Sequence, residues 1–549
     1  MTARDVLLEV LRTEGVCHLF GNPGSTELPL IDALASADDL RYVLALQEAS
    51  AVAIAEGFAM ATGRPAFLNL HTSAGLGNAI GALTNAQANH TPLVVTAGQQ
   101  DYRHIATDPL LSGDLTGLAR TVSKWVHEVR TSGELGTILR RAFHDAMSPP
   151  SGPVFVSIPM DILEDPSEHL VPALSTIDRR PMAGALDELA DLLIEPAIGR
   201  VAIVVGDDVA MSDAVAEVAE LAELLAAPVH GTALHSRGVF PPLHPMWSGM
   251  LPPAAVAMNA ALTAYERVLL IGARGLMAYP YTPGSAVPST TQLLHLAADP
   301  HELGRVHPTR WAGAGDAKAT IAALLPRVRA LIDSTDVGAH LEAAAARRRA
   351  AIDQLEETAL SRYAATPMDP MAAAHALVRA MPPDATVVDE AITTGVYVRG
   401  FHHHPVPGRY FFNRGGGLGW GMPAAVGVSL ARDREPVLCV VGDGSAMYSP
   451  QALWTAAHEN TPVVFAVVNN GQYLILKNNL RGMAGESART NRFVAMDIAE
   501  PPIDYLALAR SMGVEATSLE KAHDVGEAVA AALASGRPHL LELPIAAPA

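Results

Sequence analysis

The chain has 549 residues, too many for one hydrophobic core, so about three domains are expected. Apolar residues make up 49% and charged residues 17%, as in ordinary globular proteins, and a net charge of −19 without any basic cluster excludes a nucleic-acid surface. Two cysteines, Cys17 and Cys439, exclude a disulfide framework or a cysteine metal site and suit a reducing cytoplasm.

The opening "MTARDVLLEVLRTEG" breaks its apolar residues with charges and reads as an amphipathic helix rather than a signal core. No apolar run has membrane-spanning length, so a soluble, cytoplasmic protein is expected. Short apolar strands then alternate with amphipathic helices, the pattern of parallel sheets. "HLFGNPG", "YVLAL", "AFLNLHTS", "PLVVTAG" and "VFVSIP" read as strands of a first domain over residues 1–175. A Pro-rich, charged linker follows at 164–184. "RVAIVVGDD", "RVLLIGA" and "TQLLHLAAD" give a second domain over 183–335, with a helix over "SDAVAEVAELAELLAA". The alanine-rich, charged stretch 340–370 predicts a solvated helix leading into a third domain, 345–549. That domain carries "ATVVDE", "RYFFNRGGG", "VLCVVGDG", "PVVFAVVNN" and "HLLELPI" as strands. His402 to His404 in "FHHHPVPG" are expected on an exposed loop, because adjacent residues of an extended segment point to different sides. The fold class is α/β, with three consecutive open parallel-sheet domains.

Ligands of such sheets bind beyond the carboxyl ends of the strands, and several strand ends here carry chemistry. In "FGNPGSTELPLIDAL", Ser25 or Thr26 caps a helix or meets a ligand. Glu48 sits at the strand-to-helix junction of "LALQEASAVAIAEG". It is either a carboxylate favoured by a helix N-terminus or a desolvated acid that hydrogen-bonds to a heterocycle nitrogen. His71 ends a strand before a glycine-rich turn, either structural or a proton-transfer group. Three strand-end loops of the first domain thus offer Ser25, Glu48 and His71.

In the third domain, Leu418 stands among the glycines of "RGGGLGWGMPAAVGV", as a loop residue or as apolar support beneath a cofactor. "VLCVVGDG" and "PVVFAVVNN" flank a predicted helix that begins with Ser449 as N-cap and Pro450 at the first position. A right-handed crossover brings Asp443 and Asn470 to one sheet edge. A carboxylate and an amide oxygen are hard ligands, suited to Mg²⁺ with phosphate oxygens completing its shell. Taken singly, Gly-Asp-Gly is a turn and Asn-Asn a strand-end cap. Their pairing, with 24 residues between Gly444 and Asn469, is the spacing of a thiamin diphosphate signature. No strict G-x-G-x-x-G or G-x-x-x-x-G-K-[ST] motif supports a nicotinamide or ATP site.

With these residues the chain resembles the thiamin diphosphate-dependent 2-oxo acid decarboxylases, closest to the benzoylformate decarboxylases. The likeness runs through "FGNPGSTELP", "ALQEAS", "LHTSAGLGNAIGALTNA", "VTAGQQ", "GGGLGWGMPAAVGV" and "PQALWTAA". It implies pyrimidine-binding, central and diphosphate-binding domains. It also implies thiamin diphosphate and Mg²⁺ as cofactors, a homotetramer, and active sites between subunits. Asp443, Asn470 and the Gln472 carbonyl would bind Mg²⁺. Gly444, Ser445 and Thr393 would hold the diphosphate, with Tyr473 also at the cofactor. Leu418 would bend the cofactor, the Gly416 carbonyl would accept from its amino group, and Glu48 would contact its pyrimidine ring. Ser25 would position the substrate carboxylate and His71 would move protons, giving an aldehyde from a 2-oxo acid. Two departures concern the substrate pocket. Tyr279 stands where the resembled enzymes carry a second histidine, and a phenol is a weaker acid than imidazolium. Leu474, Ile475 and Leu476 follow the metal asparagine where the family has small residues, which shrinks the pocket against a phenyl ring. A carboligase of the acetohydroxyacid synthase or benzaldehyde lyase kind is the alternative activity, and a catalytically silent binding protein a third.

Overall fold

Three six-stranded sheets are built from the alternating strands and helices. The computed structural model describes residues 1–167, 171–332, 337–403 and 408–547. All strand pairs of defined register run parallel. Parallel pairing with helices on both faces buries each strand twice over, so the central strands are continuous apolar runs. Val94, Val95, Phe155, Val440 and Phe465 are all fully buried.

The first sheet has the order Arg41–Leu44, His18–Gly21, Ala66–Leu70, Leu93–Gln99, Val154–Pro159, Val126–Glu128. Its connections reverse direction beside His18–Gly21, a topological switch point, where a crevice opens at the strand ends. The third sheet repeats this strand order. Its strands Thr386–Glu390, Val437–Gly442, Val463–Asn469 and His539–Pro544 run side by side, with Glu515–Ser518 at one edge. The likeness of the first and third parts, open from sequence alone, is a feature of the fold.

The chain divides into two compact units. One holds Met1–Thr176, Arg362–Phe401 and Asn413–Ala549, and therefore the first sheet with most of the third. Within it, helix Glu48–Thr62 crosses helix Gly421–Ala431 at backbone distance. A Cβ at Gly57 would strike the Ala424 carbonyl, and one at Gly427 the Ile54 carbonyl. Only glycine allows so close an approach. The N-terminal helix, Ala3–Thr13, is amphipathic as expected, with a Thr2–Asp5 capping box and Val6, Leu7, Val10 and Leu11 buried.

The other unit holds Ile177–Ser361 and His402–Phe412. Its sheet has the order Trp311–Ala314, Gln292–Ala297, Arg267–Ile271, Val201–Val205, Val229–Gly231, Trp247–Met250. Helix Val337–Ser361 is solvated over most of its length, with Ala344 and Ala359 as its buried residues. The exposed loop expected at "FHHHPVPG" is corrected at His402, which is 9% exposed, its ring 5.5 Å from that of Tyr410. Its amphipathic ring packs against that of Tyr410; His404 lies outside the described residues. No helix of the described residues is long and apolar enough to cross a membrane.

Candidate active site

The carboxyl edge of the first sheet gathers Ser25, Glu48 and His71. Glu48 is the first residue of helix Glu48–Thr62, and it is buried. Gln47 caps that helix, its side chain accepting from the Ser50 N–H at 3.0 Å. The cap is therefore not made by the Glu48 carboxylate. Asn22 Nδ2 donates to its Oε1 at 3.4 Å and Asn78 Nδ2 to its Oε2 at 3.1 Å. Gly75 lies between the two groups: a Cβ there would stand 3.2 Å from Glu48 Oε1 and 3.5 Å from His71 Cβ.

His71 leaves strand Ala66–Leu70 and precedes helix Thr72–Ala88. Thr72 takes φ +44°, a left-handed conformation that costs a β-branched residue strain. His71 Nδ1 donates to Glu27 Oε2 at 2.8 Å, with Thr26 Oγ1 3.2 Å from the same nitrogen. Glu27 is 1% exposed. It also accepts from the N–H groups of Gly24 at 3.0 Å and Gly98 at 2.8 Å, and from Thr26 Oγ1 at 2.8 Å. With Nδ1 committed to Glu27, Nε2 is the nitrogen left to take or give a proton. Ser25 is exposed in the short 3₁₀ turn Ser25–Glu27. Neither Ser25 nor Thr26 caps that turn; Gly24 holds the N-cap position, its N–H on Glu27. Glu27 escaped the sequence reading because a Glu two residues after a Ser reads as helix-start chemistry.

The third sheet brings Asp443 and Asn470 together as expected. Strands Val437–Gly442 and Val463–Asn469 pair with Gly442 opposite Val468, so the two residues leave adjacent strand ends. Asp443 Oδ2 accepts from the N–H groups of Asn470 at 3.1 Å and Gly471 at 2.7 Å, and Oδ1 from Gly444 at 2.9 Å. The Asn470 side-chain oxygen accepts from the Gln472 N–H at 3.1 Å. Burial pushes the Asp443 carboxyl up from its ordinary value, and these backbone N–H groups act against that rise. A cation would oppose it further. The donors assembled here are carboxylate, amide and carbonyl oxygens, the set that suits a hard divalent ion. Among the described residues no cluster of three His, Cys, Asp or Glu competes as a metal site.

Around this pair, Gly444 and Ser445 lie in the short helix Asp443–Ala446. A Cβ at Gly444 would stand 2.5 Å from Tyr473 Cε1, so the ring of Tyr473 covers that turn. The following helix starts at Ala452 rather than Pro450, because Ser445 and Ser449 carbonyls first accept from Tyr448 and Ala452 in successive turns. Thr393 is half-buried in the loop after strand Thr386–Glu390. Gly416 has φ +78° and open space where a side chain would be, and Leu418 is 36% exposed. Asn85 Nδ2 and Asn413 Nδ2 both donate to the Gly417 carbonyl, at 3.0 and 2.7 Å. The glycine loop is thus a fixed, open shelf. These residues fit a magnesium diphosphate, and the open space at Gly416 beside the partly exposed Leu418 leaves room for the rest of such a cofactor.

On helix Leu474–Gly482, Leu474 is buried, while Ile475 and Leu476 are 36% and 44% exposed. Of the three bulky side chains, only these two are free to narrow a cleft. Tyr279 lies in the other unit, 62% exposed, its N–H donating to the Pro253 carbonyl at 2.8 Å.

Three family models match in order: the thiamine pyrophosphate enzyme N-terminal TPP binding domain over residues 1–118, the central domain over 186–324, and the C-terminal TPP binding domain over 393–543. Thiamine pyrophosphate is thiamin diphosphate. Benzoylformate decarboxylase of Pseudomonas aeruginosa is 35% identical, covering 99% of this chain and 98% of that protein. An acetolactate synthase of Mycobacterium bovis is 28% identical over 96% of this chain and 85% of its own length. Among solved structures, the thiamine diphosphate-dependent 4-hydroxybenzoylformate decarboxylase of Rhodococcus jostii RHA1 superposes with a TM-score of 0.88 at 30% identity, covering 99% of both chains. Benzoylformate decarboxylase from Polynucleobacter necessarius gives 0.87 at 28% identity, covering 100% of this chain and 99% of that one. The chain belongs to the thiamine pyrophosphate enzyme family.

Proposed function

We propose that this chain is a thiamin diphosphate- and Mg²⁺-dependent decarboxylase that converts a 2-oxo acid to an aldehyde, in the manner of the benzoylformate decarboxylases. The observation that carries the reading is the Glu27–His71–Glu48 cluster, a proton-handling group on a buried carboxylate beside a second buried carboxylate. In the overall reaction carbon dioxide leaves and one proton replaces it on the carbonyl carbon. Bound thiamin diphosphate supplies the sink for the electron pair of the breaking bond. Asp443, Asn470 and the Gln472 carbonyl hold Mg²⁺. Gly444, Ser445 and Thr393 would hold the diphosphate, with Tyr473 next to Gly444. Leu418 and the Gly416 carbonyl would support the aminopyrimidine, and Glu48 would bind its ring nitrogen. Ser25 donates to the substrate carboxylate, and His71 moves the proton at Nε2. Ile475 and Leu476 narrow the substrate side and favour slim acids over a phenyl group.

A second copy of the chain completes the site, and what supports this is the length of a helix. Trp420 Nε1, beside the glycine shelf, donates to Glu56 Oε2 at 2.9 Å. Glu48 is eight residues earlier on the same helix, about 12 Å away along its axis. We infer that its carboxylate serves a cofactor on another copy's shelf. The assembly is at least a dimer, and the homotetramer implied by the family resemblance contains such dimers. The division into domains 1–175, 183–335 and 345–549 belongs to the same reading.

The test supplies purified protein with thiamin diphosphate and Mg²⁺, then follows carbon dioxide and aldehyde from pyruvate, branched 2-oxo acids and benzoylformate. Equal yields of both products from one of these acids are expected. Carbon dioxide accompanied by a ligated hydroxyketone would make the enzyme a carboligase instead.

A further inference from the structure

Helix Gly421–Ala431 follows directly on the glycine shelf, and its first N–H groups need acceptors. Its N-cap position is held by Trp420, which has no acceptor to offer. The acceptor comes from another strand. Glu390, the last residue of strand Thr386–Glu390, takes the N–H of Gly419 on Oε1 at 2.8 Å, that of Trp420 on Oε1 at 3.1 Å and that of Gly421 on Oε2 at 2.7 Å. It is 3% exposed, and among the described residues no Lys or Arg pairs with it. The approach is close: a Cβ at Gly421 would stand 2.8 Å from Glu390 Cβ. On the opposite side, a Cβ at Gly419, where φ is +89°, would stand 2.5 Å from Tyr448 Cβ.

A buried carboxylate without a cation is costly and persists only where hydrogen bonds repay it. Burial pushes this carboxyl up to about 7, while the three N–H groups pull it down. Such a group is a poor choice for a helix cap alone, since a neutral Ser or Asn would suffice. Its distinguishing property is reach. One rigid side chain fixes three consecutive residues at the end of the Gly416–Leu418 shelf, while Asn85 and Asn413 fix Gly417 from the other side.

We propose that Glu390 is a positioning residue for catalysis: its carboxylate sets the height of the shelf, and so the placement of the Gly416 carbonyl and of Leu418 under the aminopyrimidine. This rests on the reading that Gly416 and Leu418 contact the cofactor. Glu390 touches neither substrate nor cofactor and acts through the backbone it holds. Glu390→Gln keeps the shape but turns one acceptor into a donor that faces a backbone N–H.

The test compares Glu390→Gln, Glu390→Asp and Leu418→Ala with the parent, each loaded with thiamin diphosphate and Mg²⁺. Hydrogen exchange at Gly419–Gly421, the near-ultraviolet circular dichroism of the bound aminopyrimidine, and kcat against KM are read together. For Glu390→Gln the expected result is amide exchange faster by about tenfold or more, an altered cofactor signal, and kcat lower by about tenfold or more with KM for the oxo acid unchanged. Should the Gln variant not fold, Glu390→Asp, whose shorter side chain cannot reach all three N–H groups, is judged by the same readouts. Unaltered dichroism and kcat in a folded Glu390 variant would overturn the proposal if Leu418→Ala alters both. If Leu418→Ala also leaves both unaltered, the reading of the shelf itself falls, and the proposal with it.

Discussion

Glu27 Oε2 lies 2.8 Å from His71 Nδ1, joining residues 44 positions apart in the chain. The pair fixes the imidazole by its inner nitrogen and leaves the outer one for chemistry. Gly24 packs against the ring so tightly that a Cβ there would overlap it. Ring orientation is therefore determined from two sides. Glu27→Gln keeps the volume but puts an amide where the carboxylate accepts from His71 Nδ1. We predict kcat lower by about tenfold or more with little change in KM for the oxo acid. Steady-state kinetics on the holoenzyme decide it, and an unchanged kcat would remove His71 and Glu27 from the proton path.

In the proposed function Asp443 is the anionic ligand of a metal that itself grips a diphosphate. Asp443→Ala should weaken Mg²⁺-dependent binding of thiamin diphosphate by about two orders of magnitude, followed by titration calorimetry. Chelation of the metal from the parent protein should release the cofactor in the same experiment. Undiminished binding in the variant would mean that the ion is held elsewhere.

The crossing of helices Glu48–Thr62 and Gly421–Ala431 fixes how far Glu48 stands from its own chain's shelf. Gly427→Ala places a methyl group against the Ile54 carbonyl, which is backbone and cannot swing away. We expect a loss of about 1–3 kcal/mol from overpacking, seen as a lower unfolding midpoint in urea. A neutral effect would show that the two helices are not held at backbone contact.

Glu390 makes a pH prediction for stability. Its folded pKa, near 7, lies above the ordinary value of 4.5. The contribution of the neutral form is thus complete below about 4.5, and it declines as pH rises towards about 7, since the unfolded chain gives up this proton first. The full span corresponds to about 3 kcal/mol. Unfolding of the apoprotein at about pH 5 and about pH 7.5 should show a smaller pH dependence in Glu390→Gln than in the parent. Equal slopes would place the folded pKa near its ordinary value.

Much of this was legible in the chain, for identifiable reasons. Asp443, Asn470, Glu48 and His71 each follow an apolar strand, and parallel topology sends such ends to the carboxyl edge of each sheet. The repeated strand order of the first and third sheets was not legible, since the second sheet alternates in the same way and is ordered differently. Strands with little apolar content were not legible. Val126–Glu128, Val229–Gly231, Trp247–Met250, Trp311–Ala314 and Glu515–Ser518 are short edge or near-edge strands, recruited by neighbours rather than by their own pattern. Glu27 and Glu390 were missed because their meaning lies in partners far along the chain, His71 and Gly419–Gly421. The buried ring of His402 depends likewise on Tyr410.

In the proposed function Glu48 of one copy and Asp443 of another build one decarboxylating site. Co-expression of Glu48→Gln with Asp443→Ala tests it directly, since each variant alone should be inactive. A random dimer population should recover about one quarter of the parent's carbon dioxide release, because each mixed dimer contains one site with both residues intact. If Glu48 instead served the shelf of its own chain, every site in the mixture would lack one residue, and no activity would return.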